Sequence, residues 1–249
     1  MDWFAKIDAN CERTHEGFWA EPLNAWTNAA FLFSAAAAAW VVWRIVGRRW
    51  AWRDVDLWLL PFWLVCIAVG SFLFHTWANR LSGALDVGSI MAFVLTYLAV
   101  FTGRVLRWRG VWTAAWLVVL LGMSVVLPGV AFALLPELSE QIGRIVGYVC
   151  AYAPTTVSVF LAGLLAQRAG RRRGARLLYA AGGVFIVSMT VTGLDGPLCD
   201  QWPWGTHFAW HLLNAAVLTL AMLGLGGALG ADDASRSVAG DPSAGRGGG

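Results

Sequence analysis

Three of the chain's four histidines fall in two short motifs, Ser71-Phe72-Leu73-Phe74-His75 and His207-Phe208-Ala209-Trp210-His211. Residues four apart share a helix face, so Ser71 points with His75, and His207 with His211. Asp86 follows eleven residues after His75, where the next apolar run opens. Three imidazoles leave the fourth position of a tetrahedral Zn²⁺ to water, the ligand count of catalytic rather than structural zinc. Zinc brings the pKa of water down to about 7 and polarises a carbonyl. Asp86 is then the candidate general base, passing the proton of water to a leaving nitrogen. Ser71 is the candidate donor to a developing oxyanion. Taken alone, Ser71 reads equally well as a helix-packing serine, and a single histidine at a helix end as an interfacial group. Cys66 and Cys150 lie in the middle of apolar runs, which makes a cysteine-based site the poorer reading.

The elements that must carry these residues are membrane spans. With 58% hydrophobic residues, 13% charged and a mean hydropathy of +0.61 over 249 residues, the chain lacks the charge a water-facing surface needs. It reads as an all-α integral membrane protein. A span takes about 20 apolar residues, and seven runs qualify: Trp26 to Val46, Leu57 to His75, Leu85 to Thr102, Val111 to Leu135, Ile145 to Leu165, Leu177 to Leu194 and Thr206 to Leu229. Pro128 and Pro154 fall inside runs four and five, where kinks are expected. Residues 1–25 form an outer segment, 26–229 the seven-helix domain, and 230–249, rich in Gly, Ala, Ser and Asp, a disordered tail.

Arginine sets the expected orientation. Arg44, Arg48, Arg49 and Arg53 lie between runs one and two, Arg104, Arg107 and Arg109 between three and four, and Arg168, Arg171, Arg172, Arg173 and Arg176 between five and six, together 12 of the 18 basic residues. The positive-inside rule makes that side cytoplasmic. The N-terminus is then outside, the tail inside, and Ser71, His75, Asp86, His207 and His211 all reach one depth near the outer leaflet. Intramembrane ionisable groups are costly and usually mark function. The acidic start, with Asp2, Asp8, Glu12 and Glu16, lacks the basic-then-apolar layout of a cleaved signal peptide. No basic patch interleaved with aromatics points to nucleic acid, and no feature fixes an oligomeric state. The Ala-, Arg- and Trp-rich composition fits a bacterial chain, for which the inner membrane is the expected location.

Ser-x-x-x-His followed by Asp, with a late His-x-x-x-His on the seventh run, resembles the alkaline ceramidases. These are seven-helix proteins of a superfamily that includes the adiponectin and progestin receptors. Cys11-Glu12-Arg13 and the stretch Phe18 to Asn28 look like the ceramidase branch in particular, and the resemblance spans roughly Asp8 to Leu229. It implies an intramembrane zinc amidase that cleaves the N-acyl bond of ceramide, or of another N-acyl lipid arriving from the bilayer, to fatty acid and amine. By motif match His75, His207 and His211 take the zinc places, Asp86 the base and Ser71 the oxyanion helper. The resemblance also implies a Ca²⁺ site, for which Glu12 and Glu21 match directly and Asp8 matches only with a one-residue insertion. It further implies a bridge between Cys11 and Cys199, both on the expected outer side, where disulfides form.

The alternative is a seven-helix receptor or transporter in which zinc is structural, a role that has no use for an adjacent base. Most of the 16 tryptophans lie near run ends, as interfacial belts do. Trp210, between the two late histidines, is the one to test for lining the site.

Overall fold

Buried backbone groups in lipid must pair within their own segment, and the apolar runs do so as helices. A computed structural model describes residues 2–47 and 51–230; the expected tail from Ala231 on, and Arg48, Arg49 and Trp50, lie outside the described residues. Seven helices are long and apolar enough to cross a membrane. They are α1 (Pro22–Val46, interrupted at Asn28), α2 (Val55–Trp77), α3 (Arg80–Val100, running on through a π turn at Phe101–Val105), α4 (Gly110–Leu134), α5 (Glu140–Arg168), α6 (Arg172–Gly193) and α7 (His207–Leu229). No strand occurs among the described residues, and the chain is an all-α multi-pass membrane protein. The helices run through Pro128 and Pro154, and through Pro61 as well.

The helix starts differ from the apolar runs by one to five residues, and at three of them the reason is polar. α1 begins at Pro22, suited to a first helical turn, because Glu12 accepts the N–H groups of Leu23 (2.6 Å) and Asn24 (2.8 Å). α3 begins at Arg80 rather than Leu85, since Asn79 and Ser82 form a reciprocal capping box. Asp86 therefore stands in the second turn of α3 and not at its opening. α7 begins where Asp195 accepts the N–H groups of Thr206 (2.6 Å) and His207 (2.9 Å).

Close approach at two glycines sets the helix pairs. A Cβ on Gly70 of α2 would lie 2.9 Å from the Leu85 carbonyl oxygen and 3.1 Å from the Asp86 nitrogen; one on Gly174 of α6 would lie 2.7 Å from the Gly224 carbonyl oxygen of α7. The apolar core, with Leu57, Leu60 and Leu64 of α2, Leu178 of α6 and Met222 and Leu225 of α7, fills the end of the bundle away from the histidines. At that end α4 meets α3 through Thr102 and Thr113 (2.9 Å) and buries Leu120. Towards the histidine end α3, α4 and α5 part around a cavity of about 970 Å³, walled by Val87 and Met91, Val125 and Phe132, and Tyr148 and Thr155. It shares Ile90, Met91, Tyr152 and Thr155 with a narrow apolar cleft that runs inward beneath Trp210.

Candidate metal centre

His75, in the last turn of α2, and His207 and His211, in the first turns of α7, bring one ring nitrogen each to within 4.8 Å of one another. His75 and His211 are fully buried. Their ring nitrogens have two distinct roles. His75 Nδ1 lies 2.6 Å from Glu21 Oε2, His211 Nδ1 lies 2.8 Å from Thr27 Oγ1, and His207 Nδ1 lies 3.2 Å from Thr192 Oγ1. Each Nδ1 is thus tied to an oxygen of a neighbouring helix or helix cap, the outer-shell arrangement that orients histidine ligands.

The hydrogen-bond network assigns the tautomers. A carboxylate only accepts, so His75 donates from Nδ1 to Glu21. The Thr27 hydroxyl donates to the Leu23 carbonyl (2.8 Å), so a lone pair of its oxygen accepts from His211 Nδ1. The two Nε2 atoms lie 3.1 Å apart. With both rings neutral each carries a lone pair toward the other, and the pair is then held by a proton or a metal ion between them. A tetrahedral zinc with Zn–N of about 2.0–2.1 Å sets ligand nitrogens about 3.3 Å apart. Three imidazole nitrogens are a donor set that suits Zn²⁺, and those of His75, His207 and His211 lie close enough to share one metal ion.

Ser71 and Asp86 stand beside this cluster. Ser71 is one turn before His75 on α2, and the Gly70 contact presses Asp86 of α3 against it. Asp86 interacts electrostatically with His75, and its carboxylate lies within reach of the Ser71 hydroxyl. Ser71 Oγ and Asp86 Oδ1 are buried with no hydrogen-bond partner among the described residues. Buried polar atoms are nearly always paired, and these two are left available at the metal cluster. Trp210 stacks on His207 with ring centroids 5.0 Å apart and lines the apolar cleft.

The acidic residues for which the resemblance implies calcium are placed differently. Among the described residues the three histidines are the only group of three or more such side chains close enough to share an ion. Glu12 caps α1 with both oxygens, and burial pushes its carboxyl up. Glu21 accepts from His75, Asn10 and Asn24 through Oε2 and from Arg13 through Oε1. Burial would raise the Glu21 carboxyl, but the His75 hydrogen bond and charge and the two asparagines outweigh it and hold it at about 2. Asp8 is exposed.

Cys11 and Cys199 form a disulfide, which pins the N-terminal segment to the connection before α7. Asp195 completes that junction: besides capping α7 it accepts the Cys11 N–H at 3.0 Å. Gly205, at φ +63°, leaves the room beside Asp195 that a Cβ would fill. Sequence reasoning missed Glu21 as a histidine partner, and it assigned no role at the site to Thr27, Thr192, Arg13 or Asp195. Glu21 just ahead of Pro22, and Asp195 just past the end of run six, were the available signals, since acidic residues at helix starts are preferred. Comparison with protein-family models, with curated proteins and with solved structures finds no match.

Proposed function

We propose that the chain is a zinc-dependent amidase working within the membrane, which hydrolyses an N-acyl lipid, ceramide or a relative, to fatty acid and amine. The observation that carries this reading is the cluster of three imidazoles, whose ring nitrogens lie within 4.8 Å of one another, beside a buried serine and carboxylate. A bound zinc would supply Lewis-acid polarisation of the carbonyl and a water of lowered pKa.

The chain's own groups do the rest. Asp86 takes a proton from the attacking water as the C–O bond forms and returns it to the amide nitrogen as the C–N bond breaks, the exchange expected of a general base turned acid. Ser71 Oγ–H donates to the oxygen that becomes anionic as the carbonyl carbon turns tetrahedral. The cavity between α3, α4 and α5 receives hydrocarbon from the bilayer, and the cleft beneath Trp210 leads away from the histidines. With the arginine-rich connections cytoplasmic, the centre serves the outer leaflet of a bacterial inner membrane.

Purified protein, assayed for zinc, should release fatty acid from some member of a panel of N-acyl lipids. Release should stop on chelation and return with zinc. Protein that holds one zinc per chain in an intact fold yet releases nothing from any of them would turn the reading to a receptor or transporter with a structural metal.

A further inference from the structure

Among the described residues of the N-terminal segment, Arg13 is the cation that reaches His75, and the proposed chemistry makes no use of it. Its side chain is 6% exposed and that of Glu21 2%. Its Nε donates to Glu21 Oε1 at 2.6 Å, and its Nη2 donates to the main-chain carbonyl of His75 at 3.1 Å. One guanidinium thus joins two parts of the same unit, the carboxylate that holds the Nδ1 proton of His75 and the backbone of His75 itself. That carbonyl lies in the last turn of α2, where the helix carries partial negative charge. Glu12 adds a second buried carboxyl close enough to Glu21 to repel it. Arg13 is held in turn: its N–H donates to the Asn10 carbonyl at 3.2 Å, and Asn10 Nδ2 donates to Glu21 at 2.8 Å. The disulfide at Cys11 ties the same short stretch to the start of α7.

A carboxylate that is to hold one imidazole tautomer must keep its direction. A planar guanidinium bonded to it and to the backbone of the same histidine fixes that direction, because its fork sets geometry. We propose that Arg13 is the resident cation of this centre, a positioning residue that fixes Glu21 and, through it, the tautomer and aim of His75. The N-terminal segment then completes the metal site although it supplies no ligand. The inference rests on the three histidines being zinc ligands and not on the amidase reading.

The test is zinc affinity, measured by competition with a chromophoric chelator, for the full-length protein, Arg13→Ala and Arg13→Lys. Outer-shell losses weaken metal binding about 10–100-fold. Arg13→Ala should lose about tenfold or more with helix content unchanged, Arg13→Lys should recover only part, and added guanidinium ion at non-denaturing concentration should restore Arg13→Ala. Unchanged affinity in Arg13→Ala would overturn the proposal, as would a loss that guanidinium does not repair. If Arg13→Ala does not fold, ring ¹⁵N shifts of His75 in metal-free wild-type and Arg13→Lys protein decide instead. The wild type should show a single Nδ1–H form and the variant a mixture, whereas identical spectra would refute the role. That readout is independent of turnover, so a protein that releases no fatty acid would sink the amidase and leave Arg13 still decidable.

Discussion

Two ends of the bundle gather charge, and they do it in opposite ways. At the end away from the histidines, Arg104 in the π turn of α3 donates to Asp56 (2.8 Å), to Asp54 (3.3 Å) and to the carbonyl of Arg53. Every group there answers another, and the clasp closes on itself. At the histidine end the Nδ1 atoms are answered by Glu21, Thr27 and Thr192, while Ser71 Oγ and one oxygen of Asp86 are buried with no hydrogen-bond partner among the described residues. A structural cluster uses its valences up. A cluster built to hold something keeps some of them, and that difference separates a clasp from a site where the count of charged residues does not.

The contrast breaks most completely at the ligands. His211→Ala should abolish zinc binding and fatty-acid release together, while an Arg104→Ala protein keeps both; metal analysis of the two variants side by side checks it. Next in size is the disulfide. Cys11→Ser should cost about 2–4 kcal/mol of stability, the usual worth of a native bridge, read as a lower melting temperature without loss of the zinc ligands.

Gly70→Ala comes third. Its Cβ would meet the α3 backbone at 2.9 Å, and overpacking of that kind costs about 1–3 kcal/mol. Because it pushes α3 and Asp86 away from Ser71, turnover should fall by more than zinc affinity does. Arg104→Ala itself is the smallest. Its clasp is partly exposed, where ion pairs contribute about 0–1 kcal/mol, so a slightly lower melting temperature and unchanged zinc content are expected.

What was legible in the sequence is what local geometry determines. The i, i+4 spacings put Ser71 with His75 and His207 with His211, and the parity of seven spans put both motifs and Asp86 at one end. The partners were hidden because nothing local links them. Glu21 reaches His75 across 54 residues, and Thr27 reaches His211 across 184. A threonine inside an apolar run reads the same whether it orients a ligand or bonds its own helix, and Thr27 does both. Asp86 was set too near its helix start because hydropathy cannot register a capping box of Asn79 and Ser82. The cavity between α3, α4 and α5 depends on how far packed helices part, which no single run encodes.

The decisive comparison is single-turnover release of fatty acid from an N-acyl lipid by wild-type and Asp86→Asn protein of equal zinc content. Asp86→Asn should keep one zinc per chain and the wild-type melting temperature while losing about 10²–10⁴-fold in rate, the usual share of a positioned acid–base group. Equal rates in the two proteins, or no release by the zinc-loaded wild type, would contradict the assignment of this centre to hydrolysis.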